Sequence, residues 1–143
     1  MEGGHVLHRA LRCGPVSYEV PFRLLPIIPL VQMSRFEALG SWLRQNGEAI
    51  YGAHLGNEPP AKTSGGIQVR FTAKGHWVYT TVLGEPAGAT LTLKSFTAKA
   101  SSKLFLLGLA KQLSWSQHGD DTVIDLPSTL PGRYAYVVKM VQP

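Results

Sequence analysis

Hydrophobic and polar positions alternate strictly where the pattern is clearest: Ile67, Val69 and Phe71 are separated by Gln68, Arg70 and Thr72. A period of two sends one row of side chains inward and the other outward, which is the signature of a half-buried strand. The stretch "HWVYTTVLG", rich in aromatic and β-branched residues, answers as a second strand, and Lys74-Gly75 supplies the turn of a hairpin. "TLTLK", "SKLFLLG", "KQLSWSQ", "DTVIDL" and "YAYVVKM" repeat the theme, separated by "GEPAGA", "HGD" and "PSTLPG", all turn compositions. Seven or eight short strands over residues 66–143 predict a mainly β chain folded as an antiparallel β-sandwich.

Upstream the period changes. Ser34 and Glu37 form an S-x-x-E capping box, after which Phe36, Leu39 and Leu43 fall on one face at i, i+3 and i+7. Asn46-Gly47 offers a left-handed terminator. One α-helix from Arg35 to Gln45 is expected, about 16 Å long. Residues 34–52 therefore read as the helix with its exit, 53–65 as a linker, and 1–33 as an extended arm broken by Pro15, Pro21, Pro26 and Pro29, with one short strand near Val16 to Val20.

Composition narrows the class. Hydrophobic residues make up 44% and charged residues 16% of the 143 positions, a globular profile for a single domain. The net charge of +5 comes from Lys and Arg scattered singly, with no basic run or nucleic-acid motif, so no nucleic-acid partner is expected. Cys13 is the only cysteine, which excludes an internal disulfide and a cysteine-based metal site. The longest apolar run, Leu24 to Val31, is interrupted by prolines and too short to span a bilayer. The start of the chain lacks a signal-peptide pattern, so a cytoplasmic location without membrane association is the expectation.

The phrases "RFEALGSWLRQNGEAIYG", "VRFTAKGHWVYTTVLG", "LLGLAKQLSWSQHGDDTVIDLP" and "YAYVVKM", in this order from Ser34 to Met140, resemble the C-terminal end of retaining α-L-fucosidases. The resemblance implies that the first phrase is the last helix of a catalytic (β/α)-barrel and the rest an antiparallel sandwich packed beside it. It also implies that the family's nucleophile, acid/base residue and fucose-binding residues lie in the barrel, upstream of every matched position, so none is carried over. Residues 1–32 do not match the family's segment before this helix, and read as new sequence, a remodelled end or a frame-shifted remnant.

Glycoside hydrolysis needs two carboxyl groups about 5–9.5 Å apart. Candidates for such a pair are Glu48, Glu85, Asp120, Asp121 and Asp125; the strand spacing alone sets Asp121 and Asp125 about 13 Å apart. The five histidines show no metal-ligand spacing, and neither a nucleophile elbow nor a phosphate loop is present, so no metal or cofactor is expected. Trp77, Tyr79, Trp115, Tyr134 and Tyr136 are candidate platforms for a carbohydrate, the last two placed on one face of the final strand, although aromatic side chains in a sandwich more commonly fill its core. Trp42 is expected to face the barrel in the family and to be exposed here. An apolar helix face without a barrel predicts a homo-oligomer formed through helix 35–45 and the arm. Three functional readings follow: a non-catalytic sandwich module for weak glycan binding or protein interaction, a compact glycoside hydrolase with a newly assembled carboxylate site, and a remnant that folds without a selected role.

Overall fold

A computed structural model of the chain describes residues 28–141, so what the sequence predicts for residues 1–27 lies outside the described residues. The strand alternation is realised. β3 (Gln68–Lys74) and β4 (Trp77–Val82) form the expected hairpin, with Val69 opposite Val82 and Lys74 opposite Trp77. Its two-residue loop begins at Gly75, held at φ +60°, a conformation that glycine adopts without strain and that matches the twist of the flanking strands.

Two sheets result. The large one runs β1 (His54–Leu55), β3, β4, β10 (Tyr136–Val141), β6 (Lys103–Leu106) and β7 (Gln112–Leu113), with β2 (Ala61–Lys62) also paired to β3. The small one runs β5 (Thr90–Leu93), β9 (Asp121–Asp125) and β8 (Trp115–His118). All pairings are antiparallel. Val69, Val82, Leu104 and Val138 from the large sheet meet Leu91, Leu93 and Ile124 from the small one in a single buried core, in which the Phe71 and Phe96 rings stack with centroids 5.0 Å apart.

The strand count exceeds the expectation for two local reasons. "KQLSWSQ" is split at Ser114, where the chain leaves the large sheet as β7 and enters the small one as β8. The stretch expected as a linker carries β1 and β2, and Thr63 bridges Leu93 across to the small sheet, closing that side of the sandwich.

The helix differs from its prediction at both ends. α1 spans Leu30–Asn46, with Pro29 in the capping position and its carbonyl accepting from the Gln32 and Met33 amides. Ser34 is inside the helix, its hydroxyl donating to the Val31 carbonyl rather than capping, because Pro29 with its fixed φ already sets the start one turn earlier. Gly47 is not left-handed: it continues, at φ −60°, into one 3₁₀ turn (Gly47–Ala49), and the reversal falls at Gly52, φ +69°. Among the described residues no helix is long and apolar enough to cross a membrane.

The split between core and edge predicts that Leu104→Ala, a fully buried position, lowers unfolding stability by about 3 kcal/mol, whereas Leu55→Ala, 83% exposed on the edge strand β1, changes it by less than about 0.5 kcal/mol. Urea titrations of the two variants check both values.

Candidate functional site

The outward face of the large sheet is not uniformly polar. Alternation along β4 and β10 directs Trp77, Tyr79, Val137 and Lys139 outward, and register sets Lys139 directly opposite Tyr79. Tyr79 and Val137 are buried there beneath Ala49, with Trp42, Trp77 and Leu107 packed around them. The end of α1 and the 3₁₀ turn therefore sit on this face as a lid.

Polar anchors fix the lid. The Tyr79 hydroxyl donates to Glu48 Oε1 at 2.8 Å, and Lys139 Nζ pairs with the same oxygen. Lys139 Nζ also lies 3.9 Å from the centre of the Trp77 ring, a cation–π contact. Thr72 Oγ1 donates to the Ala49 carbonyl at 2.8 Å and Lys74 Nζ to the Tyr51 carbonyl at 3.1 Å. On the helix, Trp42 Nε1 donates to the Ala135 carbonyl at 2.8 Å, so this ring is half-buried against the sandwich instead of exposed as the sequence suggests. Gln45 Nε2 reaches the Leu107 and Pro131 carbonyls. Gly108 leaves room for it: at φ +91° it is left-handed, and a Cβ there would lie 2.6 Å from the Gln45 amide.

These contacts decide what Glu48 can do. Burial by itself would raise its pKa, but hydrogen bonds from Lys139 and Tyr79 and the charges of Lys139 and Lys74 outweigh that and hold the carboxyl below its ordinary value of 4.5. Burial, then the hydrogen bond to Glu48 and its charge, push the Tyr79 phenol up. Glu48 is thus a committed acceptor, unsuited to deliver a proton near neutral pH.

The other carboxylates stand elsewhere. Asp121 is on the outward face of the small sheet, where the Lys94 ammonium at 2.7 Å and the Ser95 amide at 3.0 Å hold its pKa down. Asp120 is in the two-residue Gly119-Asp120 turn between β8 and β9. Asp125 is exposed at the far end of β9, and Glu85 lies in the loop before β5. Glu48 is on the outer face of the large sheet and Asp121 and Asp125 on the outer face of the small one, with sheets in a sandwich about 10 Å apart, and Asp120 is in the turn at the end of the small sheet. Glu85 lines a groove of about 260 Å³ beside β5, and none of the other four carboxylates lines it.

The aromatic candidates divide as well. Tyr79 and Tyr136 are buried. Trp77 is half-buried under Lys139, and Trp115 is half-buried against the core, its Nε1 donating to the Ser102 carbonyl. Tyr134 does not share a strand face with Tyr136: it precedes β10 in a loop at φ +74°, where the backbone leaves the extended conformation and turns the ring outward, 70% exposed. Tyr134 lines two grooves against α1, one of about 520 Å³ with Leu39, Trp42 and Leu83, the other of about 290 Å³ with Ser41, Gln45 and Arg133. Lys139 and Gln45 escape the sequence reading; for Lys139 the signal was its outward phase, shared with the face that carries Trp77 and Tyr79. Among the described residues no cluster of three or more His, Cys, Asp or Glu is placed to hold a metal.

This geometry defines an antiparallel β-sandwich module bearing a helix end on its outer face. Comparison with known proteins then places it: residues 63–141 match the family model described as the alpha-L-fucosidase C-terminal domain. The chain is 34% identical over 121 residues to the tissue alpha-L-fucosidase of Mus musculus and 34% identical over 119 residues to that of Homo sapiens. The matches cover 81% and 80% of this chain but 26% and 25% of those enzymes. The structure of Thermotoga maritima alpha-fucosidase in complex with a mechanism-based inhibitor is similar with a TM-score of 0.73 at 30% identity, covering 80% of this chain and 27% of that one. The chain belongs to the α-L-fucosidase C-terminal domain family, and spans about a quarter of the length of the relatives it matches.

The Glu48 anchor has a pH signature. Because its folded pKa is depressed, its contribution is complete above the ordinary carboxylate range and is lost as pH falls through the folded value. Glu48 is partly solvent-exposed, so Glu48→Gln, which preserves an acceptor for Tyr79, lowers stability by about 1 kcal/mol or less at pH 7. The gap between wild type and variant closes as the pH falls below 4.5, read from urea midpoints across an acid pH series.

Proposed function

We propose that this chain acts as a non-catalytic accessory module of the α-L-fucosidase type, working through interactions made by its helix-bearing face. The dispersal of its carboxylates carries the reading: a glycosidase needs a pair about 5–9.5 Å apart across one bond, while Glu48 is committed to Lys139 and Tyr79 and the aspartates lie on the opposite sheet. The coverage agrees, since about three quarters of the length of each matched enzyme lies beyond this domain. The compact-hydrolase reading finds no support in this arrangement.

A weak carbohydrate contact is a second reading, favoured by one observation. Tyr134 presents its ring to solvent beside Trp42 and Arg133, an aromatic face with a nearby hydrogen-bond donor. Loss of any measurable fucosylated-oligosaccharide binding on Tyr134→Ala would support that reading; binding unchanged by the substitution would move the contact elsewhere.

Hydrolysis of an aryl α-L-fucoside by the purified chain tests the main proposal. No turnover is expected above the background shared by Glu48→Gln, Glu85→Gln, Asp121→Asn and Asp125→Asn. Turnover that a single one of these substitutions abolishes would overturn it.

A further inference from the structure

The junction between α1 and the 3₁₀ turn is Asn46-Gly47, and the chain contains one other asparagine, Asn57, followed by Glu58. Asparagine before glycine is the most labile amide-bearing dipeptide in water, because no side chain on the glycine crowds the approach of its backbone nitrogen to the asparagine carboxamide. Here the pair occupies the most enclosed part of the lid: Asn46 is 1% exposed, and Gly47 is buried beside it. Local contacts account for both residues. A Cβ on Gly47 would lie 2.6 Å from the Tyr51 ring, and Asn46 Nδ2 donates to the Trp42 carbonyl one turn back at 3.1 Å.

The folded geometry blocks deamidation at both reacting groups. The nucleophile is the Gly47 nitrogen after its proton has left for solvent, but that N–H donates to the Leu43 carbonyl and Gly47 itself is buried. The electrophile is the Asn46 carboxamide carbon, which the hydrogen bond to Trp42 and the surrounding packing hold in place. Both are released only when the lid leaves β4 and β10. The nitrogen then attacks Cγ; the new C–N bond forms, the Cγ–Nδ2 bond breaks and ammonia departs, leaving a succinimide. Water adds to either of its carbonyls and opens the ring, to aspartate or to isoaspartate.

Neither product fits the closed lid. Aspartate replaces the Nδ2 donor by an oxygen, so a carboxylate faces the Trp42 carbonyl, acceptor against acceptor. Its other oxygen takes the place of Asn46 Oδ1, which is buried and has no hydrogen-bond partner among the described residues, a position where a charge is costly. Isoaspartate routes the main chain through the side-chain carbon instead, and so displaces Glu48 and Ala49 from Tyr79, Lys139 and Thr72, whose contacts fix the lid. We propose that Asn46-Gly47 is a deamidation site guarded by the lid: the closed fold protects it, opening exposes it, and reaction makes the opening permanent. The domain thereby carries a chemical record of its own opening and a one-way release of α1.

Peptide mass mapping of the full chain during incubation in mildly alkaline buffer tests it, with the same chain unfolded in urea setting the unprotected rate. Folded wild type should deamidate at Asn46 at least about a hundredfold more slowly than the unfolded chain. Variants are compared just below the urea transition, where opening is frequent enough to measure. Tyr79→Phe removes a hydrogen bond to Glu48 without altering the sequence around Asn46, and should raise the rate about fivefold. Leu55→Ala, on the exposed edge strand, should leave it within about twofold. The deamidated chain, separated by its added negative charge and refolded, should lose hydrogen-exchange protection from Leu43 to Ile50 and unfold at a lower urea concentration than wild type. Reaction at Asn46 as fast in the folded chain as in urea would overturn the proposal. So would a rate indifferent to Tyr79→Phe, or a deamidated chain that refolds with wild-type protection and midpoint.

Discussion

The centre of the large sheet is apolar on both of its faces, and the rest of the architecture answers that fact. Along β10, Val138 points into the sandwich and Val137 points out of it, and both are fully buried. A sheet with one wet face alternates apolar and polar residues; here Tyr79 and Val137 interrupt the alternation in the middle of the outer face. Each side chain of this size is worth about 2 kcal/mol when buried, so the outer face needs a cover as much as the inner one does. The small sheet covers one side. The end of α1 with the 3₁₀ turn covers the other, which is why the helix end belongs to the domain although the family match begins only at residue 63.

The polar contacts at this seat are organised around that apolar contact. Glu48, Thr72, Lys74, Tyr79 and Lys139 each satisfy a hydrogen-bonding group at the margin of the buried patch, and together they fix where the 3₁₀ turn lies. The arrangement also has a chemical consequence. It commits Glu48 beside Trp77 and Tyr79, while Asp121 is held by Lys94 on the small sheet and Asp125 is exposed at the far end of β9. The face presents shape and apolar surface, not an acid–base pair.

Much of the sandwich was legible because its signal is local. Val69 and Phe71 alternate with exposed Gln68 and Arg70 on β3, and Gly75 closes the hairpin with the backbone angle its sequence position suggests. The errors arise where a distant contact or a neighbouring proline decides. Pro29 moves the helix start ahead of the Ser34 capping box. The Ala135 carbonyl draws Trp42 onto the sandwich, a partner 93 residues away that no local pattern reveals. β1 and β2 are two residues each, too short for any periodicity, and exist only because β3 offers them an edge. Tyr134 follows Gly132 and Arg133 into a left-handed turn, so its phase relative to Tyr136 could not be read from a count of two. Of the candidate site residues, the sequence named Glu48 and Tyr79 without showing that they touch, because their contact depends on how the helix end crosses β4.

Residue-resolved hydrogen exchange of the intact chain tests most directly whether the helix end is part of the folded unit. If the seat works as described, amides from Leu43 to Ile50 exchange only by global unfolding, with protection equal to that of β4 and β10 and responding identically to denaturant. Protection orders of magnitude lower at these amides, with the sheet unaffected, would show that α1 opens independently and that the outer face is not what holds it.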